Sequence, residues 1–280
     1  SRRRWFDIAD CAQKIFIAST KEKCSWKYLG VLNDITALQY SSNTYQYNTA
    51  IKVAHGNYSY DAPLKIDENA FDTYRNTFAQ FGLGVKTEID LPVESLGYKG
   101  TSTLPGHLLD FSIGQYDTYT PIQLNQYINT IANGGNRMKP YLLKSIYNPT
   151  KDGLTSRQSG TEPTILNKVN TDPIYLERVK QGFQRVLDSG TGLGYIDLEY
   201  KPAGKTGTSQ SFIDTNDDGV VDTETITTTF VAYAPYDNPK VSFTVISPDV
   251  YYSESGSTYQ SNVTKRIVNR VSKKYFEIYK

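Results

Sequence analysis

The sequence predicts an α+β fold, in which an antiparallel sheet is packed with helices, and three features of the chain support this prediction. Helix signals dominate up to about residue 190, whereas β-type segments follow between residues 201 and 247. The tail from Thr258 again places apolar residues at helical spacing. Helices first and antiparallel strands later are typical of an α+β sandwich, so a helix in the tail should cover the sheet.

The composition limits the kinds of partner that the protein is expected to have. The chain has 280 residues, enough for one large domain or two small ones, and its 30 basic and 29 acidic side chains leave a net charge of +1. This balance gives no reason to expect nucleic acid or an acidic surface as a partner. The sequence has no apolar run long enough to cross a membrane and no signal-peptide pattern.

Three segments in the first third of the chain share helix signals, namely a polar cap or a glycine stop around apolar residues at helical spacing. These segments are residues 35–40, capped by Asn33 or Asp34; residues 45–56, ending at Gly56; and residues 67–81, capped by Asp67.

The middle of the chain alternates loops with regular elements. Residues 88–112 contain several prolines and glycines, which predict loop with short strands. Thr120 and Pro121 are a strong helix start, because a hydroxyl cap is followed by proline in the first turn. The other predictions are a helix end near Asn133, a strand over 137–147, irregular structure over 149–160, and a helix from Asp172 to about Gly190.

Three β segments follow, at residues 201–212, 225–233 and 240–247. The turn composition of residues 235–239 predicts that the last two are antiparallel neighbours.

The first β segment contains Lys205-Thr206-Gly207-Thr208. Side chains alternate faces along a strand, so Lys205 and Gly207 should share one face, with the threonines on the other unless a twist re-aims them. The glycine leaves bare backbone that a ligand can approach, the lysine can hold a carboxylate, and the hydroxyls can donate hydrogen bonds to it. Alone this motif is weak, because three residues recur by chance in ordinary edge strands.

A second motif upstream, Ser41-Ser42-Asn43, strengthens this interpretation. Ser-x-Asn followed by Lys-Thr-Gly resembles the penicillin-recognising serine acyltransferases. Longer segments are similar to the transpeptidase domain of class B penicillin-binding proteins, from about Trp26 to the C-terminus. These segments are residues 81–92, 112–127 and 131–140.

The resemblance implies a fold and an activity. The expected fold is the penicillin-binding-protein and β-lactamase-like transpeptidase fold, with Lys-Thr-Gly on the strand that borders the active cleft. The implied activity is that of a peptidoglycan D,D-transpeptidase, which cross-links stem peptides through an acyl-serine enzyme and is a target of β-lactams. No cofactor is expected for this catalysis.

The resemblance also implies roles for individual residues. Ser41 would relay a proton to the leaving group, and Asn43 would hydrogen-bond the amide of the substrate. Lys205 would hold charge near Ser41 and near the substrate carboxylate. The hydroxyls of Thr206 and Thr208 would face the substrate beside Gly207, and the Thr208 N–H would form half of the oxyanion hole.

The chain departs from the family in one respect. The family's third motif, Ser-x-x-Lys, supplies the acylated serine and its base, and it does not occur in this sequence. Residues 1–280 are therefore expected to be the C-terminal part of one transpeptidase domain, whose N-terminal portion, with the nucleophile and a membrane anchor, is not in this chain. The implied location is the extracytoplasmic face of the bacterial cell membrane, within a cell-wall synthesis complex.

Two other functions remain open. One is a β-lactam sensor or hydrolase of the same superfamily, and the other is a non-catalytic module that binds peptidoglycan. Hydrolysis of the acyl-enzyme would separate a hydrolase, which turns over quickly, from a transpeptidase, which stays acylated.

Residues 214–222 match the opening of a calcium-binding loop, with Asp214, Asn216, Asp218 and Gly219 at the expected spacing. Thr225 stands where a bidentate glutamate is required, and no helices are predicted on either side. An acidic hairpin tip beyond the Lys-Thr-Gly strand is therefore favoured.

A second possible metal site is a structural zinc site. Its four ligands would be Cys11, Cys24, His55 and Asp10, with Asp7 as the alternative to Asp10. Two thiolates, an imidazole and a carboxylate are an adequate tetrahedral set, although the spacing is not that of a recognised zinc finger. Free or disulfide-paired cysteines remain the alternatives.

Overall fold

The structure, a computed structural model, describes residues 14–18, 20–150, 153–252 and 262–279. The helices in this part of the chain are α1 (Asp34–Gln39), α2 (Asn43–Val53), α3 (Ala70–Gln80), α4 (Pro105–Ser112), α5 (Pro121–Ala132), α6 (Pro173–Ser189) and α7 (Val263–Ile278). The strands are β1 (Asn136–Met138), β2 (Ser145–Thr150), β3 (Gly153–Gly160), β4 (Ile165–Lys168), β5 (Ala203–Ile213), β6 (Thr223–Ala234) and β7 (Val241–Tyr252). Among these helices, none is both long and apolar enough to cross a membrane.

The largest sheet has the antiparallel order β5-β6-β7. Alternate residues of β6 point to its two faces, as the period of two requires. Val231 and Tyr233 pack with residues of α5 and α6, whereas Phe230 and Ala232 pack with residues that include Val268 of α7. The sheet is thus covered by helices on both faces, and β5 is an edge strand within the described part of the chain.

A second core lies away from this sheet. Tyr47, Ala50 and Ile51 of α2 pack with Phe71 of α3 and with Phe111 of α4. Helix α1 packs against α6 on the sheet side, and only a short corner separates its end from α2 of the second core. This contact places the end of α1 and the start of α2 near the strand that follows α6 in the chain.

The α+β prediction is confirmed, and so are most of its long elements. Residues 35–40 and 45–56 correspond to α1 and α2, and of the two candidate caps it is Asn33 that closes a capping box at α1. The helix predicted to start at Thr120 is α5, where Thr120 and Gln123 form a second capping box. The helix from Asp172, the three β segments and the tail helix also form, as α6, β5 to β7 and α7.

Three predictions about the middle of the chain are wrong. Residues 88–112 are not all loop, because α4 begins at Pro105. This helix buries the side chains of Leu108, Leu109 and Phe111. The segment 137–147 is two strands, since Pro140 lies between β1 and β2. The segment 149–160 is not irregular, because β3 pairs with β2 as a hairpin.

The cap predicted for α3 is also wrong. The N-cap position is Asn69, without a side-chain cap bond, while Asp67 Oδ2 lies 2.6 Å from His55 Nδ1. The loop at 214–222 is a hairpin tip between β5 and β6, as favoured, and Asp214 accepts hydrogen bonds from the N–H groups of Asn216, Asp218 and Gly219.

Candidate active site

Ser41 lies at a tight corner between α1 and α2. The N–H of Ser42 bonds the carbonyl of Ala37 at 2.9 Å and the N–H of Ser41 bonds that of Leu38 at 3.2 Å, which is the Schellman arrangement at a helix C-terminus. In that arrangement the residue after the C-cap adopts the left-handed conformation, and Ser41 has φ +54°. This conformation usually favours glycine, so a side chain is held here at some cost in backbone energy.

The next two residues begin α2. Ser42 is its N-cap, and the Ser42 hydroxyl accepts a hydrogen bond from Tyr45 N–H at 3.3 Å. Asn43 is the first helical residue, and its Nδ2 donates to the carbonyl of Cys24 at 3.4 Å. Ser41 and Asn43 are therefore fixed by two helix ends that share one corner.

Lys205, on β5, reaches this corner from the sheet. Its Nζ donates to Ser41 Oγ at 2.9 Å and to the carbonyl of Thr206 at 2.7 Å, although Lys205 and Ser41 are 164 residues apart in sequence. Burial lowers the pKa of the Lys205 ammonium group from its ordinary value of 10.5 to about 8. The lysine is thus mostly a cation at pH 7, and it can lose its proton within one or two pH units.

The rest of the motif lines the edge strand. Gly207 and Thr208 are exposed, whereas Lys205 and Thr206 are half-buried. A Cβ at Gly207 would meet no atom closer than 3.5 Å, so nothing in the fold itself requires a glycine there. The strand therefore presents bare backbone and a threonine hydroxyl at an open edge.

The structure adds Thr191, which sequence reasoning missed, to the site. Thr191 Oγ1 lies 2.9 Å from Thr206 Oγ1, and the N–H of Thr191 donates to the carbonyl of Gln39 at 3.3 Å. Gln39 Nε2 also donates to Ser189 Oγ, at the end of α6, at 3.0 Å, so the end of α6 and the loop after it join α1 to the Lys-Thr-Gly strand. No local signal identifies Thr191, because a threonine between two glycines reads as an ordinary turn.

The predicted zinc site is not formed by those of its ligands that the structure describes. Cys24 is disulfide-bonded, and a disulfide sulfur is not the thiolate that zinc requires. The imidazole of His55 is largely exposed and contacts Asp67 instead. Cys11, Asp10 and Asp7 lie outside the described residues. The prediction that Cys24 is a zinc ligand is therefore wrong, and the alternative of a disulfide-paired cysteine holds for this residue.

The structure thus brings the Ser-x-Asn and Lys-Thr-Gly motifs together at one place, with Lys205 bonded to Ser41 at a helix corner beside the exposed Gly207. The family model of the penicillin binding protein transpeptidase domain matches residues 14–273. The chain belongs to this family.

Relatives and solved structures agree with this assignment. The chain is 48% identical over 269 residues to penicillin-binding protein 2A of Bacillus subtilis, covering 95% of the chain and 37% of that protein. It is 37% identical over 222 residues to penicillin-binding protein 2B of Streptococcus pneumoniae, covering 76% and 32%. A solved structure of penicillin-binding protein 2B from S. pneumoniae strain R6 superposes with a TM-score of 0.78 at 31% identity, covering 94% of this chain and 43% of that one. The chain spans about a third of the length of these curated relatives.

Proposed function

We propose that this chain supplies the Ser-x-Asn and Lys-Thr-Gly parts of a peptidoglycan D,D-transpeptidase that works through an acyl-serine enzyme and is acylated by β-lactams. The observation that carries the proposal is the 2.9 Å contact between Lys205 Nζ and Ser41 Oγ, beside the open edge of β5. Relatives that are 29% and 28% identical to the chain are named peptidoglycan D,D-transpeptidase, which supports the reaction class.

The acylated serine is proposed to lie in a part of the protein outside this chain. The absence of Ser-x-x-Lys from the sequence supports this, as does the share of the relatives that the chain covers. A membrane anchor outside this chain, and work at the outer face of the cell membrane within a cell-wall synthesis complex, belong to the same proposal.

Acyl transfer needs a proton path to the leaving amine and donors for the oxyanion. The incoming serine oxygen bonds to the carbonyl carbon of the donor peptide, and the bond from that carbon to the terminal D-alanine nitrogen breaks. The proton that the attacking serine hydroxyl loses passes to Ser41, and Ser41 gives its own hydroxyl proton to that nitrogen, with Lys205 holding the Ser41 oxygen in place. The Thr208 N–H is proposed to stabilise the oxyanion. An acceptor amine then bonds to the acyl carbon, the bond from that carbon to the serine oxygen breaks, and a proton lost by the amine returns to the serine.

The same groups account for recognition. The Lys205 ammonium and the hydroxyls of Thr206 and Thr208 bind the terminal carboxylate of the stem peptide, or the carboxylate of a β-lactam that takes its place. Asn43 bonds the amide of the acyl donor. The exposed backbone of Gly207 lets that amide lie close against β5.

The test is covalent labelling by a fluorescent penicillin, read by intact mass. The protein with its preceding segment should gain one adduct that persists, whereas this chain alone should gain none. An adduct on a serine of this chain would refute the placement of the nucleophile. Rapid loss of the adduct would show that the acyl-enzyme is hydrolysed, and would favour a β-lactam hydrolase over a transpeptidase.

Two variants test the assigned roles in the longer protein. Lys205→Ala should cut the acylation rate severely while the fold persists, because a charge-assisted bond contributes about twice a neutral one. Asn43→Ala should raise the activation free energy of acylation by about one kcal/mol, because one hydrogen bond to the acyl donor is lost. If Asn43→Ala lowers only the melting temperature, Asn43 has a structural role at the start of α2 and no role in acylation.

A further inference from the structure

The segment Cys24 to Trp26 lies alongside the corner that carries Ser41, and it contacts that corner on both sides. On the α1 side, Trp26 Nε1 donates to the carbonyl of Tyr40, the C-cap of α1, at 2.9 Å. On the α2 side, the carbonyl of Cys24 accepts from Asn43 Nδ2 at 3.4 Å.

Ser25, between these two residues, makes the innermost contacts. It is 3% exposed, and its Oγ accepts a hydrogen bond from the N–H of Thr44 at 3.1 Å. The same Oγ lies 3.3 Å from Ser42 Oγ. Thr44 is the second residue of α2, and the N–H groups of the first turn have no partner within their own helix. Two serines therefore cap α2, Ser42 from within and Ser25 from another segment.

Among residues 40–44, Ser41 is the one for which no bond to the segment Cys24 to Trp26 is described. Tyr40, Ser42, Asn43 and Thr44 are each held by the segment Cys24 to Trp26, whereas the hydroxyl of Ser41 bonds to Lys205. Ser41 also has the left-handed backbone conformation, which persists only where the surroundings enforce it. The segment thus fixes both neighbours of a strained residue and leaves its side chain facing the lysine.

We propose that Ser25 is a positioning residue for the Ser-x-Asn motif, because it sets where Ser41 and Asn43 stand relative to Lys205. The inference rests on the proposed function, in which Ser41 and Asn43 act on the substrate. Its physical basis is that α2 starts at Asn43, so a shift of the first turn moves Asn43 and the corner with it. An ångström of misplacement in an acyl-transfer site is costly, because reacting groups must be held within a narrow range of distances.

The first experiment uses this chain alone and follows the NMR signals of the Lys205 side chain and the Asn43 amide. Ser25→Ala should shift both, because the Ser41 hydroxyl moves against the ammonium group, and Ser25→Thr, which keeps a hydroxyl, should restore them. The matched control is Ser272→Ala, which removes another buried hydroxyl, on α7, and should leave both signals in place. If Ser25→Ala folds and both signals stay where they are in the wild type, the proposal is wrong.

Trp26→Phe guards against a Ser25 variant that does not fold. Trp26 is 42% exposed, so this change removes the indole N–H with little loss of packing. It should shift the Asn43 amide signal, because the segment that loses this bond also holds Asn43 through the carbonyl of Cys24. An unchanged Asn43 signal in Trp26→Phe would count against the segment as a positioning device.

The second experiment measures acylation by penicillin in the longer protein. Ser25→Ala should lower the second-order rate constant about tenfold, or 1.4 kcal/mol, with partial recovery in Ser25→Thr and no change in Ser272→Ala. A folded Ser25→Ala protein with the wild-type rate constant refutes the positioning role. If the wild type itself is not acylated, the proposed function fails, while the signals of Lys205 and Asn43 still decide the role of Ser25.

Discussion

The lowered pKa of Lys205 predicts how acylation depends on pH. In the free protein the pKa of this lysine is about 8, against an ordinary value of 10.5. The ammonium form is therefore destabilised by roughly 3 kcal/mol relative to water, because each pKa unit corresponds to about 1.4 kcal/mol. Roughly nine tenths of the lysine is charged at pH 7, and roughly a tenth at pH 9.

If Lys205 recognises the substrate carboxylate as a cation, the second-order rate constant for acylation should fall as the pH rises through 8. The fall should be about tenfold between pH 7 and pH 9, since this constant reports the protonation state of the free enzyme. The assay is stopped-flow or gel-based acylation of the longer protein by a penicillin between pH 6 and pH 9.5.

Two controls isolate the lysine from other titrating groups. Lys205→Arg should react more slowly but show no fall near pH 8, because a guanidinium stays protonated there. A β-lactam with an esterified carboxylate should also lose the fall, because it offers no negative charge to the ammonium group. A wild-type rate constant that is flat or rises through pH 8 would refute the cationic role and favour Lys205 as a neutral base.

Three further predictions concern the strand, the lysine and the second core. Gly207→Ala should lower acylation with little change in melting temperature, since the new methyl meets no atom within 3.4 Å. Gly204→Ala should instead unfold or strongly destabilise the chain, because its methyl would lie 2.3 Å from the Val231 carbonyl. Equal melting temperatures for the two variants would contradict this prediction. The free energy of unfolding of the wild type, minus that of Lys205→Met, should increase by up to about 3 kcal/mol as the pH rises from 8 to 10.5. The reason is that the folded state disfavours the charged lysine, and this penalty disappears when the lysine is neutral in both the folded and the unfolded state. Denaturant titrations in which the two proteins keep a constant difference across that range would show that burial does not shift this pKa. Arg75→Ala should cost about 3–5 kcal/mol of stability, because Asp117, 7% exposed and bonded through both oxygens to Arg75, loses its partner, while acylation per folded molecule stays the same.

The sequence predicted the local elements well where a cap and a period agree. At α5, Thr120 and Pro121 mark the start and apolar residues follow at helical spacing, so both boundaries were predicted to within a residue or two. At α4 the prediction failed, because Pro105 and Gly106 read as loop signals although proline is favoured in the first turn of a helix. The β2–β3 hairpin was missed for a related reason, since its residues are mostly polar and carry no alternating pattern.

The sequence also supplied the chemistry of the site in part. Ser41, Asn43 and Lys205 follow from motifs, and the structure brings Ser41 and Lys205 within hydrogen-bonding distance. The zinc set shows the limit of this reasoning, because residue types suited to a metal do not establish that they converge. Cys24 has instead formed a disulfide, and His55 has paired with Asp67.

Only the tertiary structure identified Ser25 and Thr191, which support the motifs without belonging to them. Each acts through a hydrogen bond to a segment that is 15 or more residues away, and sequence periodicity reports only neighbours along one helix or strand. The pKa of Lys205 has the same origin, because desolvation depends on the atoms that packing places around the ammonium group. The sequence by itself determined which side chains are available for the proposed acyl transfer. The packing of α1, α2 and β5 decided that a lysine and a serine 164 residues apart meet, and how strongly that lysine holds its proton.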